Sequence, residues 1–332
     1  MGAQLALASV SVDLDGLSHY CAIHGLPNSL LSPAAHRLIY EGAVPRFAEL
    51  FAEVGLPATY FAIGDDLQDP AAQQALRAVQ RQGAEVASHS GAHDYRLSRL
   101  SPGEIRSDLE RAHQAITQVV GRPPVGFRAP GYILSPVLLA ELIRLGYRYD
   151  SSVFPSPPYY LAKAAVRGCL ALRGSPSASI LDRPRVLAAP RTPYRPSFDE
   201  PYARGAAPIL ELPISVSPYL RWPLVGTFAV GSTHRLTRWA YLSLRSELAE
   251  LAGLAVPVAS DIGHLNFELH GVDLLDASDG IPAQLVGRQR DLRIAWRLKR
   301  ERLRAILSQL RQDFEPVTLA EAAERWRGRV DA

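Results

Sequence analysis

The feature that most constrains the fold of this 332-residue chain is a repeated alternation of short apolar runs with amphipathic ones. Residues 4–12 form a β-branched apolar run that stops at Asp13-Leu14-Asp15-Gly16, the pattern of a buried strand ending in a loop. Residues 43–54 carry Val44, Phe47, Leu50, Phe51 and Val54 at helical spacing and end at Gly55. A strand is expected over 58–63, a helix over 69–82 closed by Gly83, and a strand over 84–88. Ser101, with Glu104 three residues on, has the signature of a capping box opening a helix that runs to Val120. A strand over 125–127, a helix over 135–145 and a strand over 147–149 follow. This succession implies parallel strands with helices outside them, in a barrel or a doubly wound sheet. In parallel barrels the chemistry sits in loops at the C-terminal ends of the strands.

From 155 to 208 the pattern breaks into a proline-rich stretch with little periodicity. A loop of that length in a compact fold is usually functional, so it reads as an insertion or lid. A strand is expected over 209–216, a helix over 232–253 and a late strand over 264–269. A long basic helix over 292–314 and a short strand and closing helix over 315–326 complete a single domain spanning 1–332. With 47% hydrophobic and 21% charged residues the chain can bury an ample core without staples. Its net charge of +3, from 36 basic and 33 acidic residues without a long basic run, argues against a nucleic-acid partner. Two cysteines, Cys21 and Cys169, exclude a disulfide framework of the small secreted type; reduced thiols are expected, with a single bridge as the alternative. The apolar start has no basic residue ahead of it, and cleaving it would destroy the aspartate motif. No uncharged run reaches the roughly 18–20 residues that span a bilayer. A cytoplasmic protein, peripheral at a membrane at most, is expected.

Five constellations can carry chemistry. Asp13 and Asp15, two residues apart at a strand end, can ligate a cation or divide labour between ligand and base. His89 and His93 follow another apolar strand, and imidazoles four residues apart can reach one ion. Two histidines and a carboxylate form a recognised facial set that leaves positions for water and substrate. In Arg128-Ala-Pro-Gly131-Tyr132 the arginine can orient a carboxylate, and the glycine N–H can face a ligand. Asp150-Ser-Ser-Val-Phe154 is the fourth, and His270, where the late strand runs out, completes the fifth. His19, His24, His36, His113 and His234 show no ligand spacing and read as surface or capping groups. His264, six residues before His270, is a candidate pocket residue with Tyr132, Asp150 and Phe154.

In this order the five motifs resemble those of the polysaccharide deacetylase family (carbohydrate esterase family 4, the NodB homology domain). The resemblance spans roughly residues 5–275, with 317–323 similar to the family's closing strand and helix. It implies an α/β fold, a distorted (β/α)7 barrel, and a hydrolase that removes an acyl group from nitrogen. It further implies Asp15, His89 and His93 as metal ligands, Asp13 as general base and Arg128 as its tether. The Gly131 N–H would help hold the oxyanion, and His270 would be the general acid. The family commonly has adjacent aspartates. Here Leu14 separates them, as in a divergent subgroup that includes peptidoglycan deacetylase-like and cyclic amide or imide hydrolase-like members, so base and ligand could exchange. The carboxylate supporting His270 stays open between Asp150, Glu211 and Glu268.

The expected function is therefore metal-dependent removal of an acetyl or formyl group from a sugar or sugar-like substrate. Zn2+ is the default ion for this ligand set, with Co2+, Ni2+ or Mn2+ as alternatives. Hydrolysis of a cyclic amide or ureide is the alternative enzyme, and a sugar-binding relic the non-enzymatic one. Residues 159–173 mix aromatic and aliphatic side chains with Lys163, Arg167 and Arg173 and no acid, and 220–228 adds a second apolar stretch. These segments read first as a lid over the barrel mouth. The second reading is a contact with anionic lipid that serves a lipid-linked substrate, as in the family's deformylases.

Overall fold

The computed structural model describes residues 6–172, 174, 177–231 and 263–330. The helix expected over 232–253, with His234, lies outside the described residues, as does Arg173. Eight strands form one sheet: β1 (Leu7–Asp13), β2 (Ala58–Ala62), β3 (Glu85–Ser88), β4 (Gly126–Phe127), β5 (Tyr149–Asp150), β6 (Leu210–Glu211), β7 (His264–His270) and β8 (Glu315–Pro316). Their order is β6-β5-β4-β3-β2-β1-β7, with β8 beside the start of β1, and every pairing is parallel. This is the curled parallel sheet of a distorted (β/α)7 barrel.

Alternation along β1 explains its position. Ala8, Val10 and Val12 face outward into a core shared with Phe47, Leu50, Leu76 and Leu307 from the surrounding helices. Ser9, Ser11 and Asp13 turn to the opposite face, as residues two apart in a strand must. That interior is polar and satisfied: Ser9 Oγ lies 2.9 Å from His264 Nε2, and Ser11 Oγ accepts from Arg128. The bottom of the barrel is plugged by Glu85, which accepts from Thr59 Oγ1, Tyr149 Oη and the Ala320 N–H at 2.8, 2.8 and 2.9 Å. At the β6 side, Asn266 of β7 donates to Ser151 Oγ and to the Leu212 and Pro213 carbonyls. Its side chain links β7 to the chain leaving β6, where no regular ladder forms.

The helices start where their capping residues say. Ser101 and Glu104 make the full capping box for Pro102–Val120, Asp69 caps Pro70–Arg81 and Ser135 caps Pro136–Arg144. Two expectations need correction. The proline-rich stretch holds a helix, Pro157–Leu172, whose prolines sit in its first turn, where a missing N–H costs nothing. The strand expected over 209–216 is regular only at Leu210–Glu211. Cys21 and Cys169 are free thiols. Among the described residues, no helix is long and apolar enough to cross a membrane.

Candidate active site

β1, β3, β4 and β7 deliver their functional side chains at or just beyond their C-terminal ends, around one cavity of about 270 Å³. Asp13, Asp15, His89, Gly131, Tyr132 and His270 line it. The register explains the convergence: Asp13 is paired directly with His270 on β7, and Ser88 with Phe127 on β4.

Asp15 Oδ1 lies 3.2 Å from His89 Nε2 and 3.1 Å from His93 Nε2, all three residues buried. Asp15 Oδ1 and His93 Nε2 have no hydrogen-bond partner. Buried orphan acceptors converging within 4.8 Å fit a divalent cation, so these three residues could hold one. His89 Nδ1 donates to the Arg128 carbonyl at 2.7 Å, which fixes the tautomer and leaves Nε2 a lone pair for an ion. Burial works to raise the Asp15 pKa, yet the imidazoles of His93 and His89 outweigh it and hold the carboxyl well below its usual range.

Asp13 is held differently. Its Oδ1 accepts from Arg128 at 2.6 Å, while Oδ2 lies 3.8 Å from His89 Nε2. Arg128 is wholly buried; it also donates to Ser11 Oγ, the Ser151 carbonyl and Ser151 Oγ, and stacks 4.1 Å above the Phe61 ring. Burial raises the Asp13 pKa, with the Arg128 guanidinium and then His89 pulling against it. Across the cavity, His270 Nδ1 lies 2.8 Å from Glu268 Oε1, and Tyr132 Oη bridges Glu268 and His270 Nε2 at 3.2 and 3.1 Å. Burial alone would lower the His270 pKa, but the Glu268 carboxylate reverses this and raises it well above that of free imidazole. Of the three carboxylates considered, Glu268 is the one in contact with His270.

The loop carrying His89 and His93 is held under tension. Ser90 and His93 adopt φ of 69° and 53°, and Tyr132 on the facing loop 66°. Non-glycine residues in the left-handed region are sparse and gather at functional sites. The restraint comes from Asp108 on the 102–120 helix, whose carboxylate accepts the Gly91 and Ala92 N–H groups at 2.7 and 2.9 Å. A Cβ at Gly91 would fall 2.7 Å from the Asp108 carbonyl, so only glycine passes there. Gly131, at φ +66°, is likewise confined by Tyr95.

Several expectations change. His264 is not in the pocket: it sits at the opposite end of β7, fully buried against Ser9, with its pKa pushed down to about 3 by burial. Asp150 also lies outside it, turned to Ser152 and paired in register with Glu211. Phe154 does not line the cavity but packs behind it, 5.6 and 4.7 Å from the Tyr132 and Tyr159 rings. His19 is no surface group: its ring lies 4.2 Å from that of His93. Sequence reasoning also missed Asp108 and the cavity-lining Tyr20 and Tyr95, because nothing in local spacing tells where a helix residue meets a loop distant in sequence.

Residues 38–149 match the family model for polysaccharide deacetylase. The similarity to that family is carried by this segment, which holds β2 to β4 and the helices between them. The chain is 26% identical over 157 residues to the peptidoglycan deacetylase of Helicobacter pylori (strain ATCC 700392 / 26695); the match covers 47% of this chain and 53% of that one. The chain thus spans about half the length of that curated relative. Two solved structures assigned as polysaccharide deacetylases share the fold. The one from Mycobacterium smegmatis has a TM-score of 0.61 at 17% identity, covering 99% of this chain and 92% of that one. The one from Pseudomonas aeruginosa PAO1 has a TM-score of 0.53 at 15% identity, covering 96% and 90%. The family match contains His89, His93, Arg128 and Gly131; Asp13, Asp15 and His270 lie outside it.

Proposed function

We propose that this chain is a metal-dependent amide hydrolase that removes an N-acyl group, acetyl or formyl, from a sugar or sugar-like substrate. The observation that carries the reading is the division of the two aspartates. Asp15 faces two imidazoles, and Asp13 is tethered by Arg128 beside them. A divalent cation held by Asp15, His89 and His93 would supply Lewis acidity, lowering the pKa of water and polarising the acyl carbonyl.

The chain's own residues supply the rest. Asp13 Oδ2 is the free carboxylate oxygen, placed to take a proton from the attacking water, while Arg128 holds Oδ1 and fixes the plane of the group. On the opposite wall His270, kept protonated by Glu268, is placed to give a proton to the departing amine. Gly131 brings backbone to the cavity wall where a side chain would collide with Tyr95, which supports a role beside the oxyanion. The helix 157–172 lines the same cavity, which supports the lid reading of the insertion within one catalytic domain. Its outward Leu161 and Leu172 are 66% and 91% exposed and support a second reading, a peripheral contact that presents a lipid-linked substrate.

One screen tests these readings: acetate, formate or ring-opened product released from N-acetyl sugars, N-formyl aminosugars and small cyclic amides, with and without added Zn2+ or Co2+. Release from the acyl sugars, abolished by chelation, is expected. Turnover of cyclic amides alone would replace the sugar reading, and binding without any release would leave a relic. Flotation with anionic vesicles reads the membrane contact; no bound protein at low salt removes it.

A further inference from the structure

The cavity's walls carry opposite charges. Its floor is formed by Asp13, Asp15 and their imidazole neighbours, and its roof by Lys163 and Arg167 of the 157–172 helix. These two cations are one helical turn apart, so their ammonium and guanidinium groups share a face and repel each other. Lys163 Nζ donates to the Gly131 carbonyl at 3.2 Å and stands 5.7 Å from the centre of the Tyr159 ring. Neither contact neutralises it. Among the described residues, neither Lys163 nor Arg167 has a carboxylate within ion-pair distance. The floor carboxylates cannot serve, because Arg128 holds Asp13 at 2.6 Å and the two imidazoles hold Asp15. Burial, opposed by Asp182 and aided by Arg167, pushes the Lys163 pKa down to about 8, as expected for a cation without a counter-ion at close range.

We propose that Lys163 and Arg167 form an anion subsite, selecting an N-acylated substrate that bears a carboxylate or phosphate within reach of the scissile amide. An uncharged acyl sugar would leave two partly desolvated cations facing it without compensation. An anionic substituent would accept charge-assisted hydrogen bonds from both. Arg167 offers a planar fork that suits either anion, and Lys163 retains donors beyond the one used on Gly131. The tie to Gly131 also joins the subsite to the loop that carries Arg128, so a bound anion would draw the helix onto the catalytic side of the cavity. This assignment rests on the amide-hydrolase reading for the substrate's acyl group, but the charge selection can be measured without turnover.

Calorimetry on the metal-free full chain compares N-acetylglucosamine, N-acetylglucosamine 1-phosphate and N-acetylmuramic acid. Leaving metal out prevents it from capturing the anions, and the last two probes separate phosphate from carboxylate. At least one anionic probe should bind about tenfold or more tighter than the neutral sugar. Lys163→Gln and Arg167→Gln should each remove most of that preference, and Arg167→Lys should keep part of it. The ratio of kcat/KM for the same anionic and neutral probes in the metal-loaded enzyme should fall in parallel. No acetate release from any probe, with the binding preference intact, would retire the deacetylase reading and leave the subsite standing. Equal binding of neutral and anionic probes, or an undiminished preference in both glutamine variants, would overturn the subsite.

Discussion

Arg128 and Asp13 show how much of the site is decided by single side chains. A buried guanidinium needs its donors satisfied, and Arg128 finds acceptors on Ser11, Asp13 and Ser151. Lysine, with a compact ammonium, could not reach them together. Because the serines and the Ser151 carbonyl remain as acceptors, Asp13→Asn should fold and keep its metal. It should nevertheless lose about 10²–10⁴-fold in kcat, since the amide cannot take a proton; His270→Ala should behave alike. Steady-state rates with metal content measured on the same samples check this. A near-wild-type rate for Asp13→Asn would instead assign the base role to Asp15. The pair itself was legible in the sequence, because two carboxylates at a strand end are a local pattern. Its division of labour was not, since Leu14 leaves both orders open and the Arg128 contact joins residues 115 positions apart. Glu268 could not be chosen over Asp150 and Glu211 for a similar reason: in a strand it shares a face with His270, but so does each rival with some neighbour.

At the scale of elements, the paired strands β5 and β6 place Asp150 opposite Glu211, both fully buried. Burial raises both carboxyl pKa values, and the neighbouring Asp150 charge adds to the rise at Glu211, which lies well above the usual range. A carboxyl with a raised folded-state pKa favours folding below its unfolded value and loses that contribution as pH climbs towards the folded value. Glu211→Gln, which can still accept from the Val153 N–H, should therefore change stability little near pH 4. It should gain relative to wild type as pH rises through neutrality. Urea unfolding at pH 4.5 and pH 8 checks the sign; a mutant that loses ground at the higher pH contradicts it. Three helices were legible with the help of their caps, which are local chemistry, namely Ser101 with Glu104, Asp69 and Ser135, whereas Pro33–Leu38, which Ser32 caps in the same way, went unread. The helix Leu17–Ile23 also went unread, having no side-chain cap at Gly16. The helix Pro157–Leu172 was hidden by prolines that break helices only beyond their first turn. The strands expected over 125–127, 147–149 and 209–216 are there as β4 to β6, but each is regular for only two residues, because such short strands depend on their neighbours for pairing.

Across the whole molecule, parallel order makes the site. A sheet whose strands all run one way must bring its C-terminal loops to one end. Asp13 and Asp15, His89 and His93, Arg128 and His270 therefore meet although they span most of the chain. The alternation of strands and helices put these motifs at strand ends, and residues 159–173 read first as a lid over the barrel mouth, but not as the helix that lines the cavity. The central claim is that the meeting point holds a metal through Asp15, His89 and His93. Elemental analysis of the purified full chain, after incubation with Zn2+ and removal of excess ion, tests it most directly. About one ion per chain is predicted for wild type and for Asp13→Asn, with loss of most of it in His89→Ala and in His93→Ala. Undiminished metal in both histidine variants would contradict the account.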